Sequence, residues 1–211
     1  MLGEIILWLP PILLAITIHE LAHGWVAYQQ GDPTAEQVGR LTLNPIPHID
    51  PIGLLALVFI HIGWAKPVPV NPNNFHNPRK SILLVSIAGP IANILLAIAS
   101  AFLFRAIYFM AASPLPDVTR ILVEILKFSV VINLILAFFN LIPIPPLDGS
   151  KIVFSLFDVS EEVQIQFSKV GPFLLLFVIL GGRLTGLNIL GSILFPPVDF
   201  FTNILIGAHI W

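Results

Sequence analysis

The stretch that decides the fold is IILWLPPILLAITIHELAHGWVAY, residues 5–28. A helix needs roughly 20 apolar residues to cross a bilayer, and this run is long enough. The segment before it lacks the basic residues of a signal peptide, and no small-residue cleavage site follows the apolar run. We therefore expect a retained membrane span that carries His19, Glu20 and His23 within apolar sequence.

The composition of the whole chain also indicates a membrane protein. Hydrophobic residues make up 56% of the 211 residues and charged residues only 10%, whereas soluble domains carry about 25% charged residues. The net charge of −2 argues against nucleic acid as a partner, and the absence of cysteine excludes thiolate metal ligands. We expect a single membrane-embedded domain over residues 1–211 with a lipid bilayer around it.

Further apolar segments predict an all-α polytopic membrane protein, a helical bundle. Two of them, residues 81–112 and 120–141, are long enough to cross a bilayer. A helix is predicted over residues 159–180. The last segment, residues 187–209, contains two adjacent prolines and predicts a kinked span or two half-spans.

Part of the segment between the first two spans, residues 52–72, is not predicted to form a membrane-spanning helix. Residues 52–64 are apolar but too short to span as a helix, and GWAKPVPVNP at residues 63–72 alternates valine with proline. Proline has no amide donor and resists both helix and central strand. Residues 52–72 therefore predict a re-entrant, β-hairpin-like segment at membrane depth, where protein or a water-filled cavity must cover the backbone.

The HELAH sequence at residues 19–23 carries the clearest chemical signal. Residues four apart share one face of a helix, so the imidazoles of His19 and His23 can converge on one metal ion. Glu20 is then placed beside the metal, where its carboxylate can take a proton from a bound water. Ionisable groups are costly within an apolar span and persist mainly when paired, hydrated or metal-bound, so metal binding is favoured over two buried, hydrogen-bonded histidines.

A catalytic zinc usually has three protein ligands and a water. We favour Asp148 as the third ligand because it follows a proline-broken helix end in otherwise apolar sequence, beside Gly149. A helix N-cap would be an alternative role for this aspartate. The other residues that could serve are His48, Asp50, His61, His76 and Glu124.

Four motifs together resemble the site-2 protease family of intramembrane metalloproteases. They are HELAH, GWAKPVPVNP, AGPIAN at residues 88–93 and FNLIPIPPLDG at residues 139–149. The resemblance covers roughly residues 10–155 and is to a minimal form without a PDZ or CBS module. It implies one Zn²⁺ per chain, bound by His19, His23 and Asp148, with Glu20 as the general base.

The resemblance also implies the partner and the setting. The substrate would be a transmembrane protein or peptide, cut by hydrolysis within or near its membrane span, in regulated intramembrane proteolysis or signal-peptide clearance. An excess of basic residues between the first two spans predicts that residues 29–80 face the cytoplasm. We expect a multi-pass protein of the plasma membrane with its active site toward the cytoplasmic side, and the oligomeric state stays open.

Two asparagines in apolar segments, Asn93 and Asn140, are further candidates. A buried amide is costly unless it is hydrogen-bonded. Each could steady the oxyanion or hold substrate backbone, and each could instead serve only to join helices. The family pattern favours a substrate contact for Asn140.

Two other functions also place histidine and aspartate in membrane spans. A zinc transporter would need ligands on several helices along a path, whereas two of the six histidines of this chain lie in one motif. A scaffold that keeps zinc only for stability would not need a base such as Glu20.

Overall fold

The computed structural model describes residues 2–60, 63–110, 116–186 and 188–208, and these residues form a bundle of helices. This confirms the all-α class for the described part of the chain. Its α-helices are α1 Leu2–Gln29, α2 Thr34–Gln37, α3 Pro51–Ile60, α4 Pro78–Met110, α5 Asp117–Asn140, α6 Asp148–Phe157, α7 Glu161–Thr185 and α8 Ile189–Ile206. Two short 3-10 turns lie at Ile46–His48 and Pro72–Asn74.

Helices α1, α4 and α5 pack against one another and form the centre of the bundle, and α8 packs against α5. Small side chains on α4 let the helices approach closely, which is how helices associate in lipid. The buried core between α4, α5 and α8 consists of Ala97, Ala101, Val130, Leu134 and Val198.

Arginines near the two ends of α4 tie it to other helices. Arg79 donates to the carbonyls of Ser155 and Leu156 at the end of α6. Arg105 donates to the last carbonyls of α8. The final carbonyls of a helix have no partner within that helix, so these guanidinium groups satisfy them.

Within the described residues, four helices are long and apolar enough to cross a membrane: α4, α5, α7 and α8. The spans predicted over residues 81–112 and 120–141 correspond to α4 and α5. Helix α8 is continuous, although Pro196 and Pro197 lie inside it. Helix α1 contains the first predicted span, residues 5–28, and its 28 residues are long enough to cross a membrane. The side chains of its residues 2–6 lie outside the part of the chain that the structure describes.

The hairpin predicted over residues 52–72 is wrong for its first half. Residues Pro51–Ile60 form helix α3, and the described part of the chain contains no strand and one isolated antiparallel bridge, between Ile49 and Ala65. The signal that the prediction missed is Asp50. Its Oδ1 accepts the first free backbone N–H groups of α3, and such a cap favours a helix.

The second half of this region, residues 65–71, has no regular structure and is called the proline segment below. Two buried charged residues hold it against the rest of the fold. The Arg40 guanidinium donates to the carbonyls of Lys66 and Pro67. The Asp32 carboxylate accepts the backbone N–H of Asn71 at 2.7 Å. The proline segment is therefore fixed by side chains where a hairpin would be fixed by a partner strand.

Asp32 is fully buried and accepts several hydrogen bonds at once. Besides the N–H of Asn71, it accepts bonds from the backbone and hydroxyl of Thr34 and from the side-chain amide of Asn74. Burial alone would raise the pKa of the Asp32 carboxyl, but these hydrogen bonds favour the carboxylate and bring the pKa below its ordinary value.

We expect Asp32→Ala to lower the free energy of unfolding by about 1–3 kcal/mol at neutral pH, because its donors lose their acceptor. A group with a lowered folded pKa contributes stability above its unfolded pKa of about 4 and loses it as the pH falls through the folded value. The difference from wild type should therefore shrink in acid. Thermal unfolding in detergent measures it, with the exposed Asp117→Ala as the matched control. Equal stabilities of Asp32→Ala and Asp117→Ala at neutral pH would contradict this account.

Candidate metal centre

Two histidines of α1 meet an aspartate at the start of α6. His19 Nε2 lies 2.9 Å from His23 Nε2 and 3.2 Å from Asp148 Oδ2, and His23 Nε2 lies 3.0 Å from Asp148 Oδ2. Tetrahedral zinc with bonds of about 2.0–2.1 Å would separate neighbouring ligand atoms by roughly 3.3 Å. The three atoms form a triangle of the size that one metal ion requires.

The other nitrogen of each imidazole is hydrogen-bonded away from this triangle. His23 Nδ1 donates to the Val85 carbonyl at 2.7 Å, and His19 Nδ1 lies 2.6 Å from Asn93 Oδ1. Such partners fix the ring orientation of metal-binding histidines and leave Nε2 free as the ligand. Two Nε2 lone pairs and a carboxylate oxygen then face one another, and a cation between them removes their repulsion. The donor set therefore fits zinc.

Gly89 of α4 lies directly against the imidazole rings. A Cβ at this position would be 2.4 Å from His23 Nε2 and 2.6 Å from His19 Cε1. Contacts this short are not tolerated, so either the rings or α4 would have to move. The glycine is thus part of the pocket that shapes the metal centre, a role beyond the close helix contact that small residues usually provide.

A second glycine allows α6 to bring Asp148 into place. A Cβ on Gly149 would be 2.2 Å from the carbonyl oxygen of Leu141, so the start of α6 can lie against the preceding loop only without a side chain there. The N-cap position of α6 is Leu147, with no side-chain capping bond. Asp148 is buried and directed at the histidines, and Lys151 Nζ lies 3.7 Å from its Oδ1.

A cavity of ≈ 140 Å³ opens onto the metal centre. Glu20 lines it together with Asn140 and Lys151, and the proline segment forms another part of its wall. Glu20 Oε2 accepts the backbone N–H of Val68 at 2.8 Å. The carboxylate is thereby held beside the three candidate ligands but is not one of them.

The remaining candidates for a third ligand are engaged elsewhere or lie apart from the site. His48 bonds a backbone carbonyl, Asp50 caps α3, and Glu124 pairs with a lysine on its own helix. His76 is exposed, and His61 lies outside the described residues.

The two asparagines have different positions. Asn140 lines the metal cavity and donates one N–H to a carbonyl one turn earlier. Asn93 is fully buried, and both ends of its amide are used: Oδ1 faces His19, and Nδ2 donates to the Ala15 carbonyl and to Asn133 Oδ1. Sequence reasoning does not single out Asn133, although a polar residue within an apolar span is a usable signal.

Comparisons with known proteins agree with this geometry. The sequence profile of Peptidase family M50 matches residues 109–179, which include Asp148. "Putative zinc metalloprotease YwhC" of Bacillus subtilis (strain 168) is 41% identical over 170 residues, covering 79% of this chain and 78% of that protein. "Putative zinc metalloprotease Rip2" of Mycolicibacterium smegmatis is 35% identical over 153 residues, covering 70% of this chain and 56% of that protein. No solved structure matches the chain.

The apolar helices and the buried ligand triangle define a multi-pass membrane metalloprotein. The chain belongs to Peptidase family M50, the site-2 protease family, which confirms the resemblance drawn from its motifs. It is a zinc metalloprotease, and the triangle of His19, His23 and Asp148 is a group that can hold the ion.

We expect Gly89→Ala to weaken zinc binding by at least about tenfold, because the added methyl group displaces the imidazoles. Metal analysis of the purified protein and competition with a chelator measure the effect. Gly181→Ala on α7 is the matched control, since a Cβ there meets nothing within 4 Å. Wild-type zinc affinity in a folded Gly89→Ala protein would show that the rings do not depend on this contact.

Proposed function

We propose that the protein is an intramembrane zinc endopeptidase that cuts membrane protein substrates within or near their transmembrane segments. The observation that carries the proposal is the convergence of His19, His23 and Asp148 within 3.2 Å of one another, in a buried site that shares a cavity with Glu20. One Zn²⁺ per chain is bound by these three residues, with regulated intramembrane proteolysis or signal-peptide clearance as the biological role.

Glu20 is the general base of the proposed reaction. His19, His23 and Asp148 would hold a zinc ion, which would act as a Lewis acid and make a water more acidic, towards a pKa of about 7. Glu20 accepts a proton from the attacking water and passes it to the amine that leaves. The Val68 N–H holds Oε2 of the carboxylate, which leaves Oε1 to carry the proton.

The two asparagines take different roles in this proposal. Asn140 lines the cavity and keeps one amide N–H for the substrate carbonyl or the developing oxyanion. Asn93 was the other candidate for substrate contact, but its amide is buried and fully engaged. We assign it to the orientation of His19 instead.

A second cavity, of ≈ 380 Å³ between α1, α3 and α5, favours a substrate with apolar side chains. Its lining includes Ile16 and Leu136, one helical turn before Glu20 and Asn140. A cavity with apolar walls next to the reacting groups suits side chains from a membrane span better than those of a soluble peptide.

The proline segment offers an edge to which an unwound substrate can add as a strand. Within residues 66–71, two positions are prolines and three amides already donate to other acceptors. The Val70 N–H is the one amide of this stretch without an acceptor among the described residues. A substrate carbonyl would bond there, while carbonyls of the segment accept from the substrate.

The active site faces the cytoplasm in this proposal, in the plasma membrane. The basic residues Arg40, Lys66, Arg79 and Lys80 all lie between α1 and the body of α4, and by the positive-inside rule this excess supports a cytoplasmic position for that side.

Zinc-dependent cleavage of a model transmembrane peptide separates this function from the two alternatives. A transporter would move zinc across vesicles and leave the peptide intact. A zinc-stabilised scaffold would do neither. The position of Glu20 in the metal cavity favours the peptidase, since neither alternative needs a base there.

We expect Glu20→Gln to retain zinc and to lose about 10²- to 10⁴-fold in cleavage rate, the usual contribution of a general base. The control is Glu162→Gln, an exposed glutamate on α7. Zinc content and peptide cleavage are measured on the same preparations. Normal turnover by a zinc-loaded Glu20→Gln protein would rule out this residue as the base.

We expect Val70→Pro to slow cleavage about three- to tenfold at unchanged zinc content, because one hydrogen bond to the substrate is lost. Val70→Ala keeps the N–H and serves as the control. Val68→Pro is a poorer test because it would also remove the bond to Glu20. Equal rates for Val70→Pro and Val70→Ala would contradict strand addition at this amide.

A further inference from the structure

A chain of buried polar side chains leads from the metal centre into the helix bundle. Asn93 Nδ2 of α4 donates to Asn133 Oδ1 of α5 at 2.8 Å. Asn133 Nδ2 donates in turn to the Ser129 carbonyl at 2.8 Å, and Ser129 Oγ lies 2.8 Å from Ser100 Oγ. Asn93 and Asn133 are completely buried. Groups of this kind are costly in an apolar bundle unless their bonds are satisfied, so the chain is a defined structural feature.

The Ser129 carbonyl, at the end of the chain farthest from His19, fixes which group donates and which accepts in each of these hydrogen bonds. The Ser129 carbonyl can only accept, so Asn133 must turn its NH₂ group toward it and its Oδ1 toward Asn93. Oδ1 can only accept as well, so Asn93 must present Nδ2, which also donates to the Ala15 carbonyl at 3.0 Å. Asn93 Oδ1 is then left facing His19.

The same logic decides which nitrogen of His19 carries the proton. Asn93 Oδ1 lies 2.6 Å from His19 Nδ1 and can only accept, so the proton is on Nδ1. The lone pair is therefore on Nε2, which faces His23 and Asp148. If the Asn93 amide turned over, its NH₂ group would favour the opposite tautomer, with a proton on the nitrogen that must bind the metal.

We infer that Asn133 is a positioning residue for the metal centre. It lies outside the lining of the metal cavity and its side-chain hydrogen bonds go to Asn93 and Ser129, yet it helps to set the orientation of the Asn93 amide and through it the tautomer of His19. Through Asn133 and Asn93, the Ser129 carbonyl of α5 thereby favours the tautomer of His19 on α1 that can bind a metal. The inference rests on the proposed function insofar as His19 is a zinc ligand.

The size of the effect follows from the two bonds that Asn93 Nδ2 donates, to Asn133 Oδ1 at 2.8 Å and to the Ala15 carbonyl at 3.0 Å. Both favour the same orientation of the amide. Asn133→Leu removes the first of them, so wrongly oriented amides become more populated. Losing an outer partner of a metal ligand typically weakens metal binding about 10- to 100-fold, and we expect the lower end because the Ala15 bond remains.

The experiment measures the zinc dissociation constant of the full chain in detergent by chelator competition, for wild type, Asn133→Leu, Asn133→Asp and Ser129→Ala. Asn133→Leu should bind zinc about tenfold more weakly. Asn133→Asp should stay close to wild type, because a neutral carboxyl group accepts from Asn93 and donates to the Ser129 carbonyl. Ser129→Ala breaks the serine contact between α4 and α5 and the longer, 3.3 Å bond from Asn133 Nδ2 to Ser129 Oγ. It keeps the carbonyl that orients Asn133, so it too should stay close to wild type.

Two outcomes overturn the inference. One is wild-type zinc affinity in a folded Asn133→Leu protein, and the other is a loss in Ser129→Ala as large as in Asn133→Leu, which would indicate helix packing alone. If Asn133→Leu fails to fold, Asn133→Asp decides: retained affinity supports the inference, and a tenfold or greater loss overturns it. His19→Ala distinguishes a failure of this inference from a failure of the proposed zinc site. If zinc affinity survives this change, the proposed ligand set itself is wrong.

Discussion

Two imidazole nitrogens and a carboxylate oxygen lie 2.9–3.2 Å apart in a buried site, and the cation that such an arrangement requires between them, a proton or a metal ion, is the constraint on which the rest of the structure depends. The protein holds the three groups together by fixing the far side of each. The Val85 carbonyl and Asn93 hold the two rings, and the close approach at Gly149 directs Asp148 toward them. The candidate ligands come from α1 and α6, but much of their support comes from α4.

Helix α4 can serve this purpose because it is fixed along its whole length. Its arginines close the ends of α6 and α8, small residues let it lie against α5, and Gly89 brings its backbone against the rings. The proline segment, whose Val68 N–H binds Glu20, is held in a similar way by Arg40 and Asp32. Reactive groups are thus placed by rigid neighbours, which is what precise chemistry requires.

The sequence predicts the helical class, the two central spans and the ligand triangle, because each has a local signal. The spans have long apolar runs, and His19 and His23 have a helical spacing. Helix α3 was mistaken for part of a hairpin because the prolines after it outweighed the cap that Asp50 provides. The role of Asn133 could not be predicted either, since it depends on contacts between residues 40 positions apart. The catalytic role of Glu20 and the substrate contact of Asn140 stay predictions.

The contact between Gly89 and the imidazoles has a consequence for the surrounding lipid. Because a Cβ at Gly89 would clash with both imidazoles, the α4 backbone leaves no spare room beside the rings. Membrane helices adjust their tilt when bilayer thickness changes. A tilt of α4 against α1 would therefore move the rings, which makes bilayer thickness a condition to control when the protein is reconstituted.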